Sequence, residues 1–284
     1  MRTVYLNGEF LPLSEAKLPI MDRGTTFGDG VYEVSSVLDG RLVDNDAHLA
    51  RLFRSLGEIR MGCPVAVEAI PPLQHELIRR NDLIEGVVYI QVTRGTSERD
   101  FPFPAHTPPN MFMFTQVKTI IDSPLAKSGA KVISTDDLRW ARRDIKSTAL
   151  LAQVLAKQAA HEAGAYEALM VGPDGTVTEG SSSSAFILTG DRRIITRKAD
   201  TSILPGITRK AVMALAAEQD LVVVERDYTL DEAKGAAEMF LTSASSFVMP
   251  VISLDGQTIG DGTPGPMTRR MRDLYIAFAR ASAS

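Results

Sequence analysis

A lysine closes a basic run in the middle of the chain, and the residues around it suggest chemistry. The run is RWARRDIKS, residues 139–147, and the apolar residues after it recur at helical spacing: Leu150, Leu151, Val154, Leu155 and Ala159. This spacing predicts a helix from Ser147 to about Gly164, with Lys146 where a loop becomes that helix. Arg142 and Arg143 are like charges that favour the neutral amine of Lys146, the form that attacks a carbonyl to make a Schiff base. We therefore predict that Lys146 is the reactive centre.

A carboxylate followed by small hydroxyl residues stands further along, in TVTEGSSSS at residues 176–184. Glu179 is placed where one predicted strand stops and another begins. A carboxylate beside the pyridine nitrogen of a cofactor would keep that nitrogen protonated. The alternative interpretation of this stretch is an ordinary serine-rich loop.

Two glycine-containing stretches are candidates for close contact with a ligand. ILPGITR, residues 203–209, leads into a helix predicted from Thr208, and the N–H groups and hydroxyl at a helix N-terminus bind phosphate. A plain helix cap is the alternative there. DRGTTFGDGVYE, residues 22–33, places three glycines before a strand. A dinucleotide-binding motif follows a strand and opens a helix, so this second stretch by itself indicates a tight turn.

Length and composition limit the class of protein. At 284 residues the chain is long enough for two domains, and its net charge of −4 gives no basic field for nucleic acid. Cys63 is the only cysteine, which excludes an internal disulfide and a metal site of several thiolates. The first residues contain no continuous apolar run, which argues against a signal peptide, and the stretch from Met239 to Leu254 is too short and polar to span a bilayer. We predict a cytoplasmic protein without a metal, acting on small molecules.

The pattern of strands and helices predicts a mixed α/β fold, α+β-like, rather than one doubly wound sheet. Hairpins are predicted at residues 3–11 around Gly8 and at residues 31–44 around Asp39-Gly40. A helix with Asn45 as its N-cap and a second helix at residues 71–81 follow. Buried strands at residues 87–93 and 111–117, separated by an exposed proline-rich loop, complete the first half. In the second half we predict strands at 131–135, 167–171, 185–188, 193–196, 221–224 and 239–242, and helices from 208 and at 266–280. The predicted domains are residues 1–118 and residues 119–284, the second carrying Lys146.

Taken together, these stretches resemble the fold type IV, or class IV, pyridoxal-phosphate-dependent aminotransferases, and most of all the bacterial D-amino-acid aminotransferases. The matching blocks run from residue 22 to about residue 251: DRGTTFGDGVYEV, VTRGTSERDFPFP, DLRWARRDIKS, VLAKQAAHEAG, TVTEGSSSSAF, ILPGITR and FLTSASSFVMPV. The resemblance implies a two-domain enzyme with pyridoxal 5′-phosphate bound at the domain interface.

The resemblance also implies a role for each matching residue of the cofactor site. Lys146 matches the lysine that forms the Schiff base and carries the proton, and Glu179 matches the carboxylate paired with the pyridine nitrogen. Arg51 matches the arginine that holds the cofactor phosphate. The other matching positions hold the phosphate or line the cofactor: Ser181, Ser182, Leu204, Ile207, Thr208, Ser243 and Ala244. Ala244 replaces a threonine that the family often has, which removes one hydroxyl contact.

For the substrate, Tyr32 and Arg99 match the groups that hold the α-carboxylate, with Arg99 reaching in from the partner subunit. The resemblance therefore implies a homodimer. The relatives usually have a histidine two residues after that arginine, where this chain has Phe101. The carboxylate clamp is thus expected to differ from theirs, and the pocket to be more apolar.

The implied reaction is a ping-pong transfer of an amino group from an amino acid, here a D-amino acid such as D-alanine, to pyruvate or 2-oxoglutarate. Within the fold, the alternatives are a branched-chain L-amino-acid aminotransferase, an (R)-selective amine transaminase and aminodeoxychorismate lyase. The branched-chain enzymes are disfavoured because Ser35 and Ser36 stand where a glycine-rich continuation is expected. A cofactor carrier without turnover is a further alternative, but such a carrier needs no proton shuttle at Lys146.

Overall fold

The computed structural model describes residues 2–219 and 221–284. By their contacts, the residues divide into two compact units. The first unit comprises the residues up to Thr119 together with Ile145–Ala149 and Ala279–Ser284, and the second comprises Ile120–Asp144 and Leu150–Phe278. Lys146 thus groups with the first unit, whereas we had expected it in the second half of the chain. Whether these units are the two expected domains stays a prediction.

The first unit is built on a six-stranded antiparallel sheet of order β2-β1-β6-β5-β3-β4. Its strands are β1 Thr3–Leu6, β2 Glu9–Pro12, β3 Gly30–Leu38, β4 Arg41–Val43, β5 Gly86–Thr93 and β6 Asn110–Val117. Both predicted hairpins are confirmed. In the second of them Asp39 and Gly40 have φ angles of 51° and 74°, as the tight turn between β3 and β4 requires.

Three helices accompany this sheet: α1 Arg23–Phe27, α2 Asn45–Glu58 and α3 Ile70–Arg80. The predicted apolar face of α2 packs into the core, with Leu49, Leu52 and Leu56 buried. The N-cap of α2 is Asp44, in a left-handed conformation, so the prediction of Asn45 as cap was wrong. The reason is that the Asn45 side chain is used inside the core, where it binds Ser35 and Gln74.

The second unit contains a nine-stranded mixed sheet of order β12-β11-β10-β13-β14-β7-β8-β9, with β15 paired to β14. The strands are β7 Ala130–Asp136, β8 Glu167–Val171, β9 Val177–Gly180, β10 Ser184–Leu188, β11 Ile194–Thr196, β12 Val223–Glu225, β13 Glu238–Ser243, β14 Phe247–Leu254 and β15 Gln257–Thr258. The pairs β11–β12, β14–β7 and β7–β8 are parallel and the others antiparallel. Two separate sheets confirm the α+β-like mixture expected from the sequence.

The helices of the later chain are α4 Pro124–Ser128, α5 Leu151–Glu162, α6 Ile207–Glu218, α7 Leu230–Lys234 and α8 Pro266–Ser282. Helix α5 begins at Leu151, four residues later than predicted, so Lys146 does not open it. The large apolar residues whose spacing predicted α5 are not the residues that the helix buries. Ala156 and Ala160 face its neighbours, while Leu151, Val154 and Leu155 are exposed, because small side chains let the helix lie close to the sheet.

In the part of the chain that the structure describes, no helix has the length and apolar character needed to cross a membrane.

Candidate active site

Lys146 belongs to a non-helical segment that lies along β3 of the first unit. The N–H of Tyr32 donates to the carbonyl of Lys146 at 3.0 Å, and Ser147 forms an antiparallel bridge with Val31. The N–H of Lys146 donates to the hydroxyl of Ser55, on α2, at 3.4 Å. These contacts fix the backbone of the lysine between a strand and a helix. A strand contact therefore takes the place of the helix start that was predicted.

The side chain of Lys146 reaches Tyr32, one of the predicted substrate-binding residues. Its Nζ lies 4.3 Å from the centroid of the Tyr32 ring. Tyr32 stacks in turn on Tyr89, with ring centroids 5.3 Å apart. The structure thus brings the predicted reactive amine and a predicted carboxylate-binding residue together within one unit.

Arg51, the predicted phosphate anchor, is buried against a carboxylate that the sequence did not single out. Its Nε and Nη2 donate to the two oxygens of Glu33 at 2.6 and 2.9 Å. His48 Nδ1 lies 2.8 Å from the same carboxylate. Arg51 and Ser55 are four residues apart on α2, so both lie on one face of that helix, the face next to Lys146.

The charge on Glu33 is set by this pairing. Burial by itself would raise the pKa of Glu33, but the Arg51 charge and the hydrogen bonds from Arg51 and His48 lower that pKa to about 2. Glu33 is therefore ionised at neutral pH although its side chain is fully buried. An ionised, bidentate partner fixes the plane of the Arg51 guanidinium.

In the second unit, Glu179 lies on β9 beside an arginine that the sequence analysis left without a role. Arg139 Nη1 donates to Glu179 Oε1 at 2.5 Å, and the N–H of Leu204 donates to the same oxygen at 3.0 Å. Arg139 binds Asp137 through Nε and Nη2, and the Thr178 hydroxyl donates to Asp137 at 2.7 Å. Two predicted cofactor residues, Glu179 and Leu204, are thus joined by one hydrogen bond.

Asp137 and Arg139 each stabilise the charged form of the other. Burial would raise the pKa of Asp137, but hydrogen bonds and charge from Arg139 outweigh it and lower that pKa. The opposite balance applies to Arg139: burial would lower its pKa, yet Asp137 and Glu179 together raise it. Arg139 is thus a fixed cation beside Glu179. Its place in the basic run before Lys146 was the available signal, but nothing in the spacing pointed to a partner 40 positions away.

The neighbouring arginines of the basic run are also paired. Arg142 binds Asp144 at 2.9 Å, and Arg143 Nε lies 3.3 Å from Asp137. Arg142 is therefore not the bare like charge that the prediction for Lys146 assumed, because it is paired with Asp144, whereas Arg143 shares Asp137 with Arg139.

The predicted serines after Glu179 are turned towards another buried carboxylate, Glu167 on β8. Ser181 Oγ makes a short hydrogen bond to Glu167, and Ser182 and Ser183 donate to it at 2.8 and 3.2 Å. Lys157 Nζ lies 3.3 Å from the same group. These contacts hold the turn between β9 and β10, so the hydroxyls of Ser181 and Ser182 serve the loop itself.

The N-terminus of α6 has the features of an anion site. Its N-cap is Gly206, which offers no side-chain hydrogen bond, so the first N–H groups of Ile207 and Thr208 have no side-chain cap. A Cβ at Gly206 would lie 2.7 Å from Ser184 Oγ, so the close approach of these two segments requires glycine. Thr208 is buried in the first turn.

The last predicted phosphate contacts lie in the turn between β13 and β14. Ser243 Oγ is 2.7 Å from the hydroxyl of Ser246, and Ala244 follows Ser243 in the turn. The preceding hydroxyl, that of Thr242, is buried without a hydrogen-bond partner among the residues that the structure describes.

Arg99 and Phe101 lie on an exposed loop of the first unit. The guanidinium carbon of Arg99 is 5.1 Å from the Phe27 ring centroid and 5.8 Å from that of Phe101. The rings of Phe27 and Phe101 are 5.4 Å apart, and Phe101 is 75% exposed. Tyr32 contacts Lys146 and Tyr89, and among the described residues no ring or cation–ring contact joins Tyr32 to Arg99 or Phe101.

These groups suit a phosphorylated pyridine cofactor. A buried carboxylate is the partner that a ring N–H⁺ needs, and Glu179 is one, fixed by Arg139. The N-terminus of α6, which has no side-chain cap, suits a phosphate group. The amine of Lys146, beside the Tyr32 ring, suits the aldehyde carbonyl of such a cofactor. No group of three or more acidic, histidine or cysteine side chains that suits a metal ion is present among the described residues.

Comparison with known proteins gives a family whose cofactor these groups suit. The family model of the amino-transferase class IV matches residues 30–254. The chain is 41% identical to a D-alanine aminotransferase of Bacillus licheniformis over 95% of this chain and 94% of that protein. It is 36% identical to one of Staphylococcus haemolyticus over the whole of both.

Solved structures of branched-chain amino acid aminotransferases share the fold. The enzyme of Escherichia coli has a TM-score of 0.91 at 21% identity, covering 99% of this chain and 96% of that one. A second such enzyme, from T.th. and solved with pyridoxamine 5′-phosphate, has a TM-score of 0.91 at 25% identity, covering 99% and 97%.

Proposed function

The chain belongs to the class IV aminotransferase family, and from this membership we propose that it transfers the amino group of a D-amino acid such as D-alanine to a 2-oxo acid. The observation that carries the proposal is the identity of 41% and 36% with two D-alanine aminotransferases along nearly the whole chain. The branched-chain structures match as well in fold, but at 21% and 25% identity. We therefore assign the amino donor from the more similar sequences, as a D-amino acid, with pyruvate or 2-oxoglutarate as the acceptor.

The cofactor that we propose is pyridoxal 5′-phosphate, the cofactor of the class IV aminotransferases. When bound, it supplies an electron sink that stabilises the carbanion left when the substrate Cα loses its proton. The phosphate would be held at the N-terminus of α6, by Ile207 and Thr208, with Ser243, Ala244 and Arg51 as further contacts. Leu204, Ser181 and Ser182 would line the rest of the site.

Lys146 would first bind the cofactor and then carry the proton at its Nζ. Its neutral amine would take the proton from the substrate Cα, and its ammonium form would deliver that proton to C4′ of the cofactor. The Tyr32 ring, 4.3 Å from Nζ, supports the ammonium form through its π face and excludes water from one side. The fixed backbone of Lys146, bound to β3 and α2, orients this movement.

Glu179 would accept a hydrogen bond from the ring N–H⁺ and so keep that nitrogen protonated. Arg139 supports this role because its charge favours the ionised carboxylate and its hydrogen bond orients it. The role of Arg139 is therefore to position Glu179, with Asp137 fixing the arginine from the other side.

The substrate carboxylate would be held by Tyr32 and Arg99, with Arg99 supplied by the partner subunit of a homodimer. The separate surroundings of the two residues in one chain support an arrangement in trans. A cytoplasmic location stays a prediction that rests on the single cysteine.

A donor screen tests the proposal. Purified protein with pyridoxal 5′-phosphate is given D-alanine, L-leucine or (R)-1-phenylethylamine with 2-oxoglutarate, and D-alanine is expected to be the best donor, with pyruvate formed from it. Preference for L-leucine would establish the branched-chain activity instead, and preference for the amine the amine transaminase. Pyruvate released from aminodeoxychorismate without a 2-oxo acid would identify the lyase. Absence of any exchange in a cofactor-loaded protein would favour a carrier.

A further inference from the structure

The glycine-rich stretch before β3, which the sequence analysis could assign only as a turn, contains a buried arginine that holds a second loop. We name residues 22–30 the glycine loop and residues 96–102 the clamp loop, which carries Arg99 and Phe101. We propose that Arg23 of the glycine loop is the positioning residue that fixes the clamp loop, and thereby sets the affinity for the substrate carboxylate. This inference rests on the proposed function, because it takes Arg99 as the carboxylate-binding group.

The backbone of the glycine loop holds the beginning of the clamp loop. The N–H of Arg23 donates to the carbonyl of Gly95 at 2.8 Å, and the N–H of Ser97 donates to the carbonyl of Met21 at 3.3 Å. Asp22 and Thr96 form an antiparallel bridge between these two contacts. The clamp loop is therefore anchored just before Arg99.

The side chain of Arg23 holds the other end of the same loop. Its Nη1 donates to the carbonyl of Asp100 at 2.6 Å, and its Nη2 to the carbonyl of Phe101 at 3.3 Å. Nη1 also lies 3.5 Å from the carbonyl of Pro102. Arg99 is thus bracketed on both sides by contacts with one residue, although Arg99 itself is exposed.

The guanidinium of Arg23 is fixed in its turn. It is 3% exposed, its Nε donates to Asp29 at 2.9 Å, and it lies 4.5 Å from the Phe27 ring centroid. The same Phe27 ring is 5.1 Å from the guanidinium carbon of Arg99. Arg23 and Arg99 therefore share one aromatic contact, which places the position of Arg99 under the control of the glycine loop.

Only the planar fork of arginine serves a carboxylate and several carbonyls at once. The five N–H donors of a guanidinium point in fixed directions, whereas the lysine ammonium has three donors on a flexible stem. Arg23→Lys is therefore a sharp test, because it keeps the positive charge beside Asp29 and loses the fork that reaches Asp100 and Phe101.

Arg94 offers the matched control. It is buried, and its Nε donates to the same Asp29 oxygen at 2.7 Å, but its other donors go to the carbonyls of Ile59 and Arg60 at the end of α2. Its contact beyond them is with the ring of Phe103, past the clamp loop. Arg94→Lys thus removes a buried guanidinium that binds Asp29, without removing the contacts that Arg23 makes with the carbonyls of Asp100 and Phe101.

The experiment measures loop order and steady-state kinetics in these two variants. In Arg23→Lys, amide hydrogen exchange of residues 96–102 should rise, and the KM for D-alanine should increase on the order of tenfold with kcat changed less than about twofold. The kcat/KM for (R)-1-phenylethylamine, which has no carboxylate, should stay the same, as should all of these quantities in Arg94→Lys. An unchanged KM for D-alanine in folded Arg23→Lys would overturn the inference.

A double-variant cycle separates this inference from the function on which it rests. If Arg23 acts through Arg99, the KM for D-alanine in Arg23→Lys/Arg99→Gln should equal that of Arg99→Gln alone. If the increases in KM of the two single variants multiply in the double variant, the inference is overturned. A normal KM for D-alanine in Arg99→Gln would instead overturn the assignment of Arg99. Should Arg23→Lys not fold, Asp29→Asn takes its place with the same expected pattern, because it loosens the hold on Arg23 Nε at unchanged size.

Discussion

Each unit of the molecule buries an arginine–carboxylate pair that includes a predicted cofactor-binding residue, and the two pairs are built differently. In the first unit Glu33 takes two hydrogen bonds from Arg51, and His48 adds a contact at 2.8 Å. In the second unit Arg139 gives Nε and Nη2 to Asp137 and reaches Glu179 through Nη1. Glu33 thus occupies the fork of its arginine, whereas Glu179 shares its arginine with a second carboxylate.

This difference separates a pair that stabilises the fold from one that orients a reacting group. A bidentate, fully buried pair is costly to break, because either partner left alone is an uncompensated buried charge. A carboxylate held from one side is oriented for a further partner on the other, as the proposed ring nitrogen requires. Substitution of Glu33 should therefore act on stability, and substitution of Glu179 on turnover.

The largest effect on turnover is expected at Lys146, and the effects of changing either arginine–carboxylate pair are measured against it. Lys146→Ala should lose essentially all turnover, because the proposal gives no other residue both the bond to the cofactor and the proton transfer. The visible absorbance of the lysine-linked cofactor should disappear with it. A variant that kept this absorbance and near-native turnover would move the reactive centre away from Lys146.

The next effect tests the second pair. Glu179→Gln should lower kcat about a hundredfold or more while cofactor affinity changes far less, because a neutral amide cannot hold the ring proton as a carboxylate does. Titration of the variant with cofactor, followed by kcat at saturation, separates the two quantities. Loss of affinity with kcat restored at saturation would mean that Glu179 is an anchor, and the contrast with Glu33 would fall.

The first pair should respond in stability. Glu33→Gln should lower the free energy of unfolding by roughly 3 to 5 kcal/mol at pH 7, since it removes the buried carboxylate charge that is paired with Arg51. Chemical denaturation of both proteins measures this difference. A drop in kcat without loss of stability would show that the two pairs are not distinct in kind.

The pH dependence of the same difference gives an independent check. The pKa of Glu33 is lowered from 4.5 to about 2 in the folded protein, so its stabilising effect is fully present above pH 4.5. As the pH falls from there towards 2, the carboxylate becomes protonated in the unfolded chain first, and roughly 3 kcal/mol is lost. The gap in unfolding free energy between wild type and Glu33→Gln should narrow over that interval and stay constant above it.

The fold was largely predictable because its strands and helices carry strong local patterns. The alternation of residues 31–38 with the Asp39-Gly40 turn predicted β3 and β4, and both are present. Helix α1 was missed because its five residues are too few for a periodic pattern, although Asp22 caps it and Gly28 ends it. On α5 the large apolar residues drew the prediction, whereas packing selected the alanine face.

The site was predictable only one residue at a time. Lys146, Glu179 and Arg51 carry patterns of their own or match a family block, but their partners come from distant positions. Glu33 is 18 positions from Arg51, and Arg139 is 40 positions from Glu179. Such pairings follow from how strands and helices meet in space, which single-sequence periodicity does not encode.

Both arginine–carboxylate pairs are internal, so the substrate carboxylate needs another cation, and the smallest effect is expected beside it, at Phe101. The Phe101 ring is 75% exposed, and its contacts are with Phe27 and with Arg99 of the same loop, so most of the ring is open to a ligand. A histidine there adds a donor to the proposed clamp, and Phe101→His should strengthen carboxylate binding by about 1 to 3 kcal/mol, depending on its charge. The KM for D-alanine should fall with kcat little changed, as uniform binding predicts, and hydrophobic donors should lose the preference that the aromatic ring gives them.

Phe103→His, on the same exposed stretch but stacked on Arg94 at 3.6 Å, is the matched control and should leave the KM for D-alanine unchanged. Equal KM values in wild type and a well-folded Phe101→His variant would show that this position lies outside the clamp, and that Arg99 and Tyr32 bind the carboxylate without a third group.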